Sequence, residues 1–296
     1  MSHLTQDDLK AFKPTHRYFI GIDSDGCAFD TMEIKHKECF IPNIIKHWGL
    51  QPVSKYARAA AEFVNLYSKW RGINRFPALT MTFDLLKDWP DVQKRHVEIP
   101  GAESLREWIK RETKLGNPAL QAEVDRTSDP VLRLGLAWSK AVNASVEAMV
   151  KGVPPFPYVP ESLDKASARA DIMVVSATPG EALQREWAEH GIDKYAAFIA
   201  GQELGSKAEH LKLTAGGKYV PEHILMVGDA PGDLKAARAN NALFYPIKPG
   251  FEDESWERFF KEALDRFFDG KYAGAYEAEL IREFDALLPE TPPWKK

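Results

Sequence analysis

Phe19–Asp30, FIGIDSDGCAFD, is the stretch on which the reading of this chain turns. The apolar run Tyr18-Phe19-Ile20-Gly21-Ile22 has the length and composition of a buried strand, and it stops at Asp23-Ser24-Asp25-Gly26. Gly26 allows a sharp turn just past the strand's end. Two carboxylates two positions apart at a strand's C-terminal tip can face one crevice, where open α/β sheets hold their ligands. Such a pair suits one carboxylate as nucleophile or metal ligand and the other as general acid and base. A solvated Asp-Ser-Asp-Gly turn fits the same residues, so the decision comes from the rest of the chain.

Working outward, the sequence changes character twice. Residues 34–150 carry helical periodicity with almost no strand signal, with helices expected over 39–48, 55–70, 102–114 and 131–151. Ala59, Phe63, Leu66 and Trp70 form the stripe expected of the second of these. Pro154, Pro155, Pro157 and Pro160 then crowd a segment that suits neither a helix interior nor a central strand, and 151–160 reads as a linker. From 161 onward strands and helices alternate. Strands are expected at 171–176, 195–200, 224–227 and 242–247. Thr178-Pro-Gly-Glu181 and Ser206-Lys-Ala-Glu209 both read as capping boxes that open helices.

Alternation of this kind predicts a parallel sheet with crossover helices. The expected architecture is α/β, a Rossmann-like parallel sheet with an inserted all-helical domain. Its core would comprise 1–33 and 161–296, with C-terminal helices over 252–288, and the helical insert would be 34–150.

Four strand ends then fall on one edge of the sheet. They bring the Asp23/Asp25 pair, the hydroxyl of Ser176, the cation of Lys207 at a helix start, and the second carboxylate pair Asp229/Asp233. One cation, one hydroxyl and two carboxylate pairs suit phosphoryl transfer. A hard divalent ion such as Mg2+ takes a few carboxylates together with phosphate and water.

On these residues the chain resembles the haloacid dehalogenase (HAD) superfamily of phosphohydrolases. The signature of an apolar strand ending in DxDG, with D-[ST] following, is matched by Ile20–Gly26 and Asp30-Thr31. The strand ending in Ser or Thr is matched by Val174-Val175-Ser176. The lysine before a helix is matched by Lys207, and GDxxxD by Gly228–Asp233. The match covers a little under half the chain, and the helical insert lies where the family carries a C1-type cap.

The resemblance implies a Mg2+-dependent phosphohydrolase with an aspartyl-phosphate intermediate. Asp23 would be the nucleophile and Asp25 the acid and base. Asp23, Asp25 (through its backbone carbonyl), Asp229 and Asp233 would hold the metal. Ser176 and Lys207 would bind the phosphoryl oxygens. Cys27 and Ala177 stand where many members carry Thr or Val and Asn respectively.

In the insert, Arg71 and Arg75 fall in a Gly- and Pro-broken stretch with Asn74 and aromatic residues, a composition suited to a second anionic group on the substrate. The same stretch also fits a solvated turn. Thr178 reads as a helix cap. Glu33, His36 and Lys37 read as surface residues, and Trp48, Trp89, Trp108 and Trp138 as core of the insert.

A phosphomutase, or a phosphonate hydrolase using Lys35, Lys37, Lys46 or Lys55 as a Schiff base, would fit the same core. So would a non-catalytic binding protein that keeps the fold.

The formal net charge of −4 gives no basic footprint for nucleic acid or an anionic membrane, and the partner expected is a small phosphorylated molecule. Cys27 and Cys39, the two cysteines, lie in no zinc spacing and imply no disulfide framework. The opening residues hold no apolar stretch of the secretion-signal kind, which makes the cytoplasm the expected location. Oligomeric state is not legible.

Overall fold

The structure is a computed structural model that describes residues 4–295. Five strands form a wholly parallel sheet: β1 (Tyr18–Ile22), β2 (Ala170–Val175), β3 (Phe198–Ala200), β4 (Ile224–Gly228) and β5 (Leu243–Pro246), in the order β3-β2-β1-β4-β5. Every residue of β1, β2, β4 and β5 is buried. A parallel sheet requires this, because helices cover both of its faces, and it explains why these strands read as unbroken apolar runs.

The register places the site. Ile22 pairs with Val174 on one side and Val227 on the other, so the three central strands end level with one another. The chain moves from β1 outward through β2 and β3, then returns to the other side of β1 for β4. The direction of winding thus reverses at β1/β4, which is where open α/β sheets form their ligand crevice.

Contacts divide the chain into two compact units. One runs to Met32 and resumes over Gly152–Leu287. The other is Glu33–Lys151 together with the tail from Leu288. In the first unit the strands pack on Trp187, Trp256, Phe259, Leu264, Phe267 and Tyr272.

The second unit is helical: Ile41–His47, Ser54–Asn65, Arg75–Lys87, Glu103–Arg111, Asn117–Thr127 and Pro130–Met149 surround a core of its own. Trp108 and Trp138 lie wholly buried there. Each meets Phe76 edge to face, at centroid distances of 5.1 and 6.0 Å.

Several expectations need correction. Of the expected linker 151–160, all but Lys151 belongs to the sheet unit: Phe156 N–H donates to the Ala28 carbonyl, Phe156 and Val159 join the core, and a helix starts at Val159. The prolines shape an ordered, packed segment here. The tail after 287, expected in the sheet unit, packs with the helical one. Trp294 stacks on Trp89 at 4.0 Å with an interplanar angle of 4°, and Lys295 pairs with Asp88.

Two helices, Arg75–Lys87 and Asn117–Thr127, were not expected, and the helix read as reaching Trp70 stops at Asn65. Its buried residues are Ala57, Ala60, Ala61, Phe63, Val64 and Asn65, so the stripe is rotated from the expected one. The strand expected from Tyr195 begins at Phe198, because Asp193–Tyr195 form a 3-10 turn.

Candidate functional site

Asp23 is the first residue past β1, and its N–H continues the sheet by donating to the Val227 carbonyl at 3.0 Å. The turn behind it is tight. Cys27, Ala28 and Phe29 all donate N–H bonds to the Ser24 carbonyl, and Gly26 adopts φ 74°, which only glycine accepts without strain. Trp256 fixes the far side of the loop with an Nε1–H bond to the Cys27 carbonyl. Trp187 donates its Nε1–H to Ser24 Oγ, between the two aspartates.

Asp229 follows β4, and Asp233 lies in the first turn of the helix Pro231–Ala239. Gly228 makes this approach possible, since a Cβ there would fall 2.4 Å from Asp233 Cβ.

Asp23, Asp229 and Asp233 are all buried, and each offers an oxygen within 4.8 Å of the others. Lys207 joins them from the first position of the helix Lys207–Thr214, whose Ser206/Glu209 capping box forms as expected. Its Nζ donates to Asp23 Oδ2 and to Asp233 Oδ1, both at 2.6 Å. Asp233 Oδ2 accepts the Ala230 N–H, so this carboxylate caps its helix and binds the lysine at once.

Burial pushes the Asp23 carboxyl well above the usual range, and Asp233 and Asp229 add to that, while Lys207 acts the other way. Burial would lower Lys207, but the three carboxylates hold it well above its usual range and therefore charged. Three carboxylates around one ammonium make a buried point of excess negative charge. An all-oxygen, anionic donor set of this kind fits Mg2+.

Asp25 stands apart from that cluster. Its Oδ1 accepts the Thr31 hydroxyl at 2.5 Å, and its Oδ2 accepts the Thr178 hydroxyl at 2.6 Å. The two carboxylates of the pair thus have different partners at the end of β1. The Asp25 side chain is not in the carboxylate group around Lys207, which leaves its backbone carbonyl as the atom it could offer a metal.

Thr178 is not a helix cap either. The helix Gly180–Glu189 has Pro179 at its N-cap, and the Gly180 N–H goes to Glu203 Oε1, so the expected capping box is absent. Ser176 is buried past the end of β2, with its N–H on the Ala200 carbonyl and its Oγ accepting the Thr178 N–H at 3.2 Å. Its hydroxyl proton can still be donated.

The two arginines singled out in the insert have partners inside the helical unit. Arg71 is buried, with Nη1 on the Leu66 carbonyl at 2.9 Å. Arg75 Nη1 donates to Ser139 and to Asn143 Oδ1, and its guanidinium lies 4.9 Å from the Phe40 ring centroid. Burial lowers Arg75 to about 10. Both guanidinium groups therefore brace helices. Lys37 is bonded to Glu33 and to the Tyr67 hydroxyl, and His36 is buried, not a surface residue. Among the described residues, no helix is long and apolar enough to cross a membrane.

No protein-family model and no curated protein matches this chain. Solved structures do resemble it. One is a haloacid dehalogenase-like hydrolase of Streptococcus pneumoniae, 14% identical with a TM-score of 0.44, covering 83% of this chain and 91% of that one. Another is a HAD-superfamily hydrolase of subfamily IA from Geobacter sulfurreducens, 16% identical with a TM-score of 0.40, covering 78% and 88%. A predicted phosphoglycolate phosphatase of Haemophilus somnus is 18% identical with a TM-score of 0.39, covering 79% and 86%. Likenesses at this level assign neither substrate nor residue roles.

Proposed function

We propose that this chain is a Mg2+-dependent phosphohydrolase of the haloacid dehalogenase type, acting on a small phosphate ester. The observation that carries the reading is the buried group Asp23, Asp229, Asp233 and Lys207 at the point where the sheet reverses its winding. Burying three carboxylates costs several kcal/mol each unless cations compensate. A purely structural role offers no gain to offset that, whereas phosphoryl transfer needs this clustering.

In the proposed reaction Asp23 Oδ attacks phosphorus in line with the leaving oxygen, and an aspartyl-phosphate forms as the ester P–O bond breaks. Asp25 gives its proton to the departing oxygen. It then takes a proton from the water that attacks the acyl-phosphate, and phosphate and free Asp23 result. Ser176 donates its hydroxyl proton to one phosphoryl oxygen. Lys207, held charged by its carboxylate neighbours, faces the charge that develops on the others. Asp23, Asp229, Asp233 and the Asp25 carbonyl would hold Mg2+, which when bound neutralises phosphoryl charge.

The phosphonate alternative needs an uncharged lysine in the insert. Burial favours that at Lys37, but its bonds to Glu33 and Tyr67 outweigh burial and hold it charged, which counts against Lys37 in that role.

The test is phosphate release by purified protein with Mg2+ across sugar phosphates, nucleotides, small acid phosphates and phosphonates, with Asp23→Asn as the control. Release that Asp23→Asn and chelation both abolish supports the proposal. Absence of release from every ester refutes it.

A further inference from the structure

We infer that Thr178 is a positioning residue that aims Asp25 for proton transfer. The inference rests on the reading of Asp25 as the acid and base. The two oxygens of Asp25 are held by different hydroxyls, Oδ1 by Thr31 and Oδ2 by Thr178, and these lie 153 positions apart in the case of Thr178. Two bonds, one per oxygen, fix the plane of the carboxyl group as well as its place. A single bond would leave it free to turn about the Cβ–Cγ axis.

Thr178 is itself fixed. Its N–H donates to Ser176 Oγ, and its carbonyl accepts the Gln202 N–H at 3.0 Å. Gly201 and Gly180 press together behind it, with room for no side chain: a Cβ on Gly201 would lie 2.3 Å from Gly180 N. The loop after β2 is thus stitched to the loop after β3, and the latter leads directly into the Ser206 cap and Lys207. One rigid span carries Ser176, the hydroxyl that orients Asp25, and the start of the lysine-bearing helix.

A hydroxyl is also the group this position requires. It donates to one lone-pair site of Asp25 Oδ2 and leaves the other sites of the carboxyl group to carry the proton that is transferred. The contact therefore survives both halves of the proposed cycle. In the first, the Asp25 proton moves to the leaving oxygen as the P–O bond breaks. In the second, Asp25 removes a proton from the attacking water. Thr178 keeps its own proton in both. A lysine at the same place, a charged donor with no acceptor, would favour the carboxylate and so one half only.

The experiment compares two substrates of nearly equal size that differ in leaving group. Phenyl phosphate departs as a poor leaving group that needs a proton, while p-nitrophenyl phosphate departs without one. Positioned general acid–base catalysis is worth about 10²–10⁴-fold, of which orientation is a part.

Thr178→Val should lower kcat/KM on phenyl phosphate by about tenfold or more and on p-nitrophenyl phosphate by less than about threefold, because kcat/KM reports the phosphoryl-transfer step in which the leaving groups differ, while kcat also contains the dephosphorylation that both substrates share. Thr178→Ser, which restores the hydroxyl, should recover most of the loss. Should Thr178→Val fail to fold, Thr178→Ala removes the hydroxyl without adding bulk and is read the same way. Equal losses of kcat/KM on both substrates, or no loss of kcat/KM on phenyl phosphate, would overturn the inference. Asp25→Asn separates the two levels. If it abolishes phenyl phosphate hydrolysis while Thr178→Val does not weaken it, Asp25 keeps its role and Thr178 loses its own. If Asp25→Asn is unaffected, or the wild type cleaves neither ester, the reading of Asp25 fails and takes the inference with it.

Discussion

Replacing Lys207 by Met tests the electrostatics of the site without requiring that the substrate be known. Met keeps the length and apolar stem of the side chain and removes only the charge. The Lys207 ammonium touches two buried carboxylates at 2.6 Å, with a third carboxylate in the same group. At an effective dielectric near 20 each close pair is worth about 6 kcal/mol of attraction, and desolvating the ammonium and the carboxylates takes back much of it. The net cost of stranding buried charges by removing one partner is about 3–5 kcal/mol. For a unit of this size that corresponds to a fall in Tm of roughly 6–20 °C.

The assay is thermal and urea unfolding in EDTA, repeated in Mg2+. In EDTA the variant should lose the full amount. Mg2+ should stabilise it by more than it stabilises the wild type, because the ion then meets a larger uncompensated charge. Adding Asp233→Asn to Lys207→Met should restore part of the loss, since it removes one of the stranded charges, and the double-mutant cycle gives the coupling directly. A Lys207→Met protein as stable in EDTA as the wild type would refute the reasoning, as would a double variant no more stable than the single one.

Two further outcomes follow from parts of the chain remote from that cluster. Burial acts to raise Asp171, but hydrogen bonds from Thr15, Tyr219 and His16 outweigh it and lower its pKa to about 2, below the ordinary value of 3.8. The folded state thus holds the carboxylate more tightly than the unfolded one. The stability so gained, about 1–2 kcal/mol after allowing for solvent screening, is complete above pH 4 and is lost as pH falls towards 2. Acid titration of unfolding should show this limb in the wild type and not in Asp171→Asn. Trp294→Ala removes a stack at 4.0 Å on Trp89 and an edge contact at 5.7 Å with Phe63, and should destabilise the helical unit by about 2 kcal/mol in urea unfolding followed by tryptophan fluorescence. An unchanged midpoint would show that the tail adds nothing to that unit.

What could be read from the sequence was what depends on neighbours along the chain. The strands appear as apolar runs because a parallel sheet buries them on both faces, and the Ser206 box forms because its partners are three residues apart. The helices Arg75–Lys87 and Asn117–Thr127 escaped notice for a local reason. Pro77 reads as a breaker, yet it and Pro118 each sit in the first turn of a helix, where the missing N–H costs nothing. Arg75 reads as part of the same broken stretch but is the first residue of its helix, with its guanidinium bonded to Ser139 and Asn143. The residues after 287 follow the sheet unit in sequence and are expected with it. Trp294 finds its partner at Trp89, far back in the sequence, and no local pattern announces that contact.

The Asp23/Asp25 pair shows where sequence reasoning stops at the candidate site. Spacing alone placed two identical side chains in one crevice. The fold instead gives them different surroundings: a lysine and two further carboxylates around Asp23, two hydroxyls on Asp25. Their proposed tasks demand that difference. A nucleophile must be ionised beside other anions; burial and those anions raise Asp23, the Lys207 ammonium opposes them, and a divalent cation would add to that opposition. A group that gives and takes a proton needs partners that serve either state, which hydroxyls do and a lysine does not. The partners that create the difference come from Lys207, Asp229 and Asp233 in one case and Thr31 and Thr178 in the other. The chemistry of each aspartate is therefore set by the register of β1 against β2 and β4, which decides which loop ends stand beside which oxygen.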